Sequence, residues 1–298
     1  MSQQDLRPAP EGFAPEQWDA FMDDGFLVIE DAMSDDDVGR YRDAVDKLWR
    51  DGGNHPDKNL GAQNIVEKDP TFVDLIDHPR HVGYVYDVYG ELLKMILSHA
   101  LVRTRGAWHN AWHPDGARLV PYGVYTDQPM QIKIGLWLTD LPEPGMGNFV
   151  CLPGSHKSQT LDAYTTHESL VGEHILQCRA GTMTMMHGSI WHRVEDNETD
   201  IPRKNIFLSY SPSWVVAADR HTSDPDWLET VGREQRILMR SYTNGYTNHK
   251  PPSDDSPLFL DRDTGLDIDE GADEKVPVGI RKRKTTIEKF RERGLVRN

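Results

Sequence analysis

The stretch Gln131-Ile-Lys-Ile-Gly-Leu-Trp-Leu-Thr139 is an apolar, β-prone run. It is closed by the turn signal Glu143-Pro-Gly and followed by a second run, Asn148-Phe-Val-Cys-Leu152, and a second turn, Pro153-Gly-Ser. Runs of this length punctuated by Pro and Gly predict short strands. Outward from this point the pattern recurs at Met95–Arg103, Thr182–Met186 and Asn205–Ser211, with a further turn at Asp196-Asn. Many short strands at such spacing predict a sandwich or closed barrel.

The N-terminal part reads differently. Trp18, Phe21 and Met22 fall at helical spacing within Pro15–Asp24, Gly25 stops that helix, and Phe26–Ile29 is a short apolar strand. Ser34 with Asp35–Asp37 forms an N-cap and acidic first turn, opening a helix to about Arg50 with Val38, Tyr41, Val45, Leu48 and Trp49 on its apolar face. Asp51–Lys68 reads as loop, and Pro70 to Tyr89 as helical with a break near His78-Pro79. Asp226–Arg240 predicts a last helix. The whole chain, residues 1–298, is expected to form one α+β domain: a disordered start over 1–12, a body over 13–240, and a loop-rich C-terminal extension over 241–298.

Composition narrows the class. Hydrophobic residues make up 37% and charged residues 27%, as in an ordinary globular chain. No apolar run approaches the roughly 18 residues that span a bilayer, and the first residues lack the basic and apolar regions of a signal peptide. Cys151 and Cys178 alone imply no disulfide framework, so a cytoplasmic location is expected. A formal net charge of -15 argues against nucleic acid or an anionic membrane as the main partner. The basic stretch Ile280–Asn298 is the local exception, a solvated end or a phosphate-binding tail. Monomer and homodimer both remain open.

Two imidazoles and one carboxylate on one face of a metal leave positions for substrate and oxygen. His and Asp at positions i and i+2 of an extended strand point the same way and can grip one ion. With 13 His and 48 acidic residues among 298 positions, about two His-x-Asp/Glu matches are expected by chance, and there are two: His55-Pro-Asp57 and His113-Pro-Asp115. The first lies in the turn-like GGNHPDKNLG, while the second follows an apolar stretch and precedes the β-rich region, so context favours His113 and Asp115. Downstream, the segment 180–192 offers His187 and His192, one of which is expected to be a packed core histidine. Eleven residues further, Arg203 opens an apolar strand, and a buried Arg there suits the remote carboxylate of a dicarboxylic acid.

Taken in order, these motifs resemble the phytanoyl-CoA dioxygenase family of iron(II)/2-oxoglutarate oxygenases. The resemblance rests on Trp18-Asp-Ala-Phe-Met-Asp-Asp-Gly-Phe-Leu-Val-Ile-Glu30, Trp112-His-Pro-Asp115, Gly135-Leu-Trp-Leu-Thr-Asp-Leu141 and Leu152-Pro-Gly-Ser-His-Lys157. It continues through His187-Gly-Ser-Ile-Trp-His192-Arg-Val-Glu-Asp-Asn197 with Arg203, and ends at Arg233-Glu-Gln-Arg-Ile-Leu238. It implies a double-stranded β-helix (jelly roll, cupin-like) with the N-terminal helices packed on one sheet. It also implies Fe(2+) held by His113, Asp115 and His192, and 2-oxoglutarate gripped by Arg203, with O2 as co-substrate and ascorbate as an activator.

Asn110 falls where some relatives place a Gln touching the co-substrate. Ser155 is counted with the cofactor-binding residues, in a turn that also braces the site with His156. His187 is structural by the same comparison. Val194 departs from the Ser often found two residues after the distal His, and Gly147-Asn148-Phe149 from the usual Asn-Gly. Halogenating relatives replace the carboxylate by a small residue, so Asp115 disfavours halogenation.

The implied activity is oxidation, chiefly hydroxylation, of an unactivated C–H bond in a small-molecule substrate, a natural-product or secondary-metabolite intermediate, releasing succinate and CO2. The alternatives are an acyl-CoA thioester as substrate and a non-catalytic metal- or ligand-binding jelly roll. Gln63–Lys68, Arg103–His109, Arg118–Met130 and the tail from Trp214 are the expected substrate-lining segments.

Overall fold

The computed structural model describes residues 6–52, 58–107, 111–115, 128–157, 166–241 and 255–260. Local chemistry sets its helices where the sequence places them. Helix α1 (Pro15–Asp24) ends at Gly25, whose φ of 70° is open to glycine at little cost. Ser34 Oγ accepts from Asp37 N–H and caps α2 (Asp35–Asp51). A 3₁₀ segment over Pro70–Ile76 and helix α3 (Pro79–Tyr89) are separated at His78, whose Nδ1 accepts from Arg80 N–H. The expected helix over 226–240 is instead two short ones, α4 (Pro225–Leu228) and α5 (Arg233–Met239), because Gly232 interrupts it as an N-cap.

Among the described residues, nine strands form two antiparallel sheets. The larger has the order β1 (Phe26–Ile29), β7 (Met183–His187), β4 (Ile132–Trp137), β9 (Arg203–Pro212), β3 (Leu93–Arg103), β2 (Leu60–Gln63). The smaller has the order β6 (His174–Ile175), β5 (Phe149–Cys151), β8 (His192–Val194). This is a jelly roll, with the N-terminal helices on the outer face of the larger sheet. There Phe21, Tyr41, Val45, Phe72 and Val85 meet Met95, Val102, Ile134, Met185 and Leu208 in one core. A second cluster, with Phe26, Trp137 and Met186 against Phe149 and Cys151, joins the two sheets. Gly135 is required here, since a Cβ would lie 2.5 Å from Thr184 Oγ1, the acceptor for Trp137 Nε1–H.

Three further features depart from the sequence reading. Part of the expected loop 51–68 is strand β2, recruited by pairing with β3 (Leu60 opposite Val102) despite a run, LGAQ, of weak β propensity. Residues 6–12, expected to be disordered, are tied down: Ala9 N–H donates to Leu260 O, Leu260 N–H donates to Arg7 O, and Arg7 pairs with Asp77. The adjoining Leu258 and Phe259, in the segment expected to be loop, are fully buried in the main core. The short strands β6 and β8 complete the smaller sheet and have too few residues to show a period.

A β-bulge between Met95 and Leu97 shifts the register of β3 against β9. One extra residue reverses which face each later side chain occupies. Leu93 and Met95 therefore join Ala100 and Val102 in the helix-covered core, while Leu97, His99, Leu101 and Arg103 turn to the interior of the roll.

Beneath α3, the fully buried His81 has Nε2 3.0 Å from Tyr210 Oη and 3.0 Å from Leu75 O, and burial pushes its imidazole down to about 3. The unfolded chain takes up this proton near pH 6.5 and the folded one does not, so the stability contributed is full above that pH and falls as pH drops. The thermal midpoint of the metal-free protein should therefore fall from pH 6.5 to 4.5, more steeply than in His81→Gln. Equal slopes in calorimetry would remove His81 from the account.

Candidate metal centre

His113 and His192 form an isolated antiparallel bridge, each backbone N–H donating to the other's carbonyl at 3.0 Å. Paired residues project to the same side of the ladder, and the two imidazole centroids stand 4.3 Å apart. Each ring is turned by the carbonyl two residues before it: His113 Nδ1 lies 2.8 Å from Ala111 O, and His192 Nδ1 lies 3.0 Å from Ile190 O. Nδ1–H as donor leaves the lone pair on Nε2, the tautomer a metal ligand needs. Pro114 has no N–H to continue the ladder. His113 and Asp115 consequently stand on a single bridge and the bend after it, not on the regular strand that their spacing predicts.

The carboxylate completes a three-donor cluster. Asp115 Oδ1 is 4.0 Å from His113 Nε2 and Oδ2 is 3.8 Å from His192 Nε2, and all three donors lie within 4.8 Å of one another. Burial opposes ionisation of Asp115, but Lys133, with lesser help from His192 and His113, holds its carboxyl well below the usual carboxylate range. Burial pushes the His192 imidazole down to about 3 despite Asp115, so it is neutral near pH 7 and Lys133 is the cation that matters. Lys133, on β4, donates to Asp115 Oδ2.

The same cavity, about 260 Å³, is lined by His113, Asp115, His192 and Arg203. Arg203 is 1% exposed; its Nη1–H donates to Gly147 O at 2.8 Å, while Nε has no partner among the described residues. Burial, then the neighbouring Arg103, pushes its guanidinium down to about 9. Arg103 faces it across the β3–β9 ladder and is itself pushed down to about 10 by burial. A buried cation with an unused N–H, in one cavity with three metal-type donors, can hold the far end of a dianion whose near end meets the metal.

The other expected site residues divide. Asn110 and the pair His55 and Asp57 lie outside the described residues, as does the basic stretch 280–298. Ser155 does not line the cavity; its hydroxyl accepts from Trp191 N–H at 2.9 Å, so it fixes the backbone one residue before His192. His156 Nε2 lies 3.1 Å from Met22 O and its ring centroid is 4.7 Å from that of His187 in a tilted pair, while His187 Nδ1 accepts from Ser189 N–H. Both brace the strand without lining the cavity. Of the expected lining segments, Gln63, Arg103 and Ala218 reach the cavity, and 108–109 and 118–127 fall outside the described residues.

Lys133 and, apart from Arg103, the inner face of β3 were not among the expected site residues. Gln131 and Lys133 alternate with Ile132 and Ile134, and the polar pair lines the cavity.

Asn197 ties the far side together. Its amide donates to Arg103 O and Ile201 O at 3.0 and 2.9 Å, and its oxygen accepts from Thr199 N–H. Asn197→Ala would remove this donor from Arg103 O and leave Ile201 O with the longer donation from Thr199 Oγ1, and about 1–3 kcal/mol of destabilisation follows for a buried group left unsatisfied. A thermal midpoint unchanged from wild type would contradict this.

The family model described as phytanoyl-CoA dioxygenase (PhyH) matches residues 21–205, a span holding all three donors and Arg203. The ectoine dioxygenase of Nocardia farcinica is 23% identical over 238 residues, covering 66% of this chain and 77% of that protein. Among solved structures, HygX from Streptomyces hygroscopicus with nickel and 2-oxoglutarate bound superposes with a TM-score of 0.60 at 21% identity, over 69% of this chain and 90% of that one. HygX has also been solved with hygromycin B bound. The 2-oxoglutarate-dependent carbocyclase SnoK from nogalamycin biosynthesis gives 0.56 at 20% identity, over 76% and 94%.

Proposed function

The chain belongs to the phytanoyl-CoA dioxygenase family, and on that premise we propose that His113, Asp115 and His192 hold its iron(II) and Arg203 the far carboxylate of 2-oxoglutarate. Membership makes it a 2-oxoglutarate-dependent non-haem iron dioxygenase whose reagents are iron(II), 2-oxoglutarate and O2. One observation carries the residue assignment: three donors within 4.8 Å, with both imidazoles turned to present Nε2, share a cavity with a buried guanidinium. These groups fit the cofactor set. Two neutral nitrogens and one carboxylate suit iron(II), and a fork of N–H donors suits a carboxylate.

Bound iron(II) with 2-oxoglutarate and O2 supplies the oxidising power, and succinate and CO2 leave as co-products. The protein's part is placement. The His113–His192 backbone bridge sets the two imidazoles on one side of the metal position, and Arg203 fixes the orientation of the co-substrate. Phe149, Val194 and Phe207 wall the cavity beside the donors and keep water from them, while Gln63, His99 and Gln131 offer polar contacts. This mixed lining supports a small, partly polar natural-product or secondary-metabolite substrate, hydroxylated at an unactivated C–H bond. Asp115 occupies the carboxylate position, which weighs against halogenation. The charge of -15 weighs against a CoA thioester.

The test is anaerobic titration of the iron(II) protein with 2-oxoglutarate, followed by succinate assay with O2, ascorbate and a panel of such substrates. A weak visible charge-transfer band and substrate-coupled succinate are expected. A protein that binds metal but gives neither is a non-catalytic jelly roll.

A further inference from the structure

Lys133 is the second residue of β4, opposite Met186 of β7 on one side and Ser209 of β9 on the other. Both edges of its strand are paired, which holds its backbone in register between two neighbours. Its side chain runs into the cavity with 14% of its surface exposed, and the ammonium lies 5.2 Å from the Phe207 ring centroid. A lysine in such a place needs a counter-charge, and Asp115 is the acid among the described lining residues. The contact is specific to one atom, Oδ2.

We propose that Lys133 is a positioning residue: by holding Oδ2 it fixes the Asp115 carboxylate and leaves Oδ1 as the one oxygen offered to the metal. This rests on Asp115 being a ligand. A carboxylate can grip a metal through one oxygen or both. Two imidazoles and one oxygen leave three of six positions, enough for a co-substrate that chelates through two atoms and for O2. A second carboxylate oxygen would compete for one of them. An ammonium already bonded to that oxygen opposes the change, and a strand fixed on both edges keeps the ammonium there.

Cobalt(II) is the probe, because its visible bands report coordination number without turnover. Wild type, Lys133→Met, Lys133→Arg and Asp115→Ala are titrated with cobalt(II) in the absence of 2-oxoglutarate. Circular dichroism confirms that each is folded. Lys133→Met should show a weakened, shifted cobalt spectrum that Lys133→Arg returns toward wild type. In the iron(II) form, the dissociation constant for 2-oxoglutarate in Lys133→Met should rise by roughly tenfold or more, as for other lost outer-shell partners. A cobalt spectrum identical to wild type in Lys133→Met would overturn the proposal. A changed 2-oxoglutarate constant on an unchanged cobalt spectrum would also overturn it, making Lys133 a direct co-substrate contact instead. If Asp115→Ala leaves the wild-type spectrum unaltered, the ligand assignment itself fails, whatever Lys133 does.

Discussion

Asp115→Ala should retain the fold and lose substrate-coupled succinate formation by more than about 100-fold, beyond the roughly 10–100-fold typical of outer-shell losses. Two effects combine. The substitution removes the one anionic donor of the cluster, leaving the two imidazoles that the backbone bridge holds in place. It also leaves the Lys133 ammonium in the cavity without its carboxylate partner, so a positive charge now faces the incoming metal ion. Asp115→Asn keeps the shape and loses the charge, and should fail nearly as completely. Iron content after desalting, measured alongside succinate, separates lost metal from lost chemistry. Turnover at the wild-type level in either variant would remove Asp115 from the metal.

Arg203→Ala acts at the other end of the cavity and should leave metal binding intact. The guanidinium is buried, and its Nη1 is already engaged by Gly147 O, which keeps the fork aimed by the strand and not by solvent. Two charge-assisted hydrogen bonds to a carboxylate at roughly 1.5–3 kcal/mol each correspond to about 10²–10⁴-fold in affinity. The iron(II) protein should therefore still form, while the charge-transfer band saturates only at far higher 2-oxoglutarate. Arg203→Lys, with the charge but without the planar fork, should fall between. A variant saturating at the wild-type concentration would show that the co-substrate lies elsewhere.

The sequence made some parts of this structure readable for identifiable reasons. Ser34 with its three acids, Gly25 and His78-Pro79 each act within a few residues of themselves, so α2, the end of α1 and the start of α3 fell where local chemistry put them. The long strands announced themselves as apolar runs between Pro and Gly. The donors and Arg203 came from an ordered set of motifs, since His-x-Asp by itself occurs at the chance level.

What stayed hidden depends on distant partners. LGAQ is a strand because Val102 and its neighbours accept it, and residues 7–9 are ordered because Leu260 returns to them. The bulge at Met95/Leu97 leaves no local mark on the sequence, yet it decides which side of β3 faces the cavity. Lys133 was not singled out, because nothing nearby in the chain reveals that the inside of this roll is polar. Ser155 was counted both with the cofactor-binding residues and in a bracing turn, and the partner that braces it, the Trp191 amide, is 36 residues away.

The fastening of the N-terminal segment to the Pro-Gly-Ser-His turn has a consequence in time. Gly25 O accepts from His187 N–H, Met22 O lies against His156 across 134 residues of chain, and Phe26 is paired with Met186. At a synthesis rate of about 5–20 residues per second, β1 emerges on the order of 10–30 s before the strand it pairs with. Through that interval an unpaired Phe-Leu-Val-Ile edge and the apolar side of α1 await a partner not yet made. The two histidines meet only after a further stretch is complete, because His113 and His192 share a backbone bridge. Metal uptake is thus a late event in the life of the nascent chain, and the first thirty residues are where a chaperone would be needed.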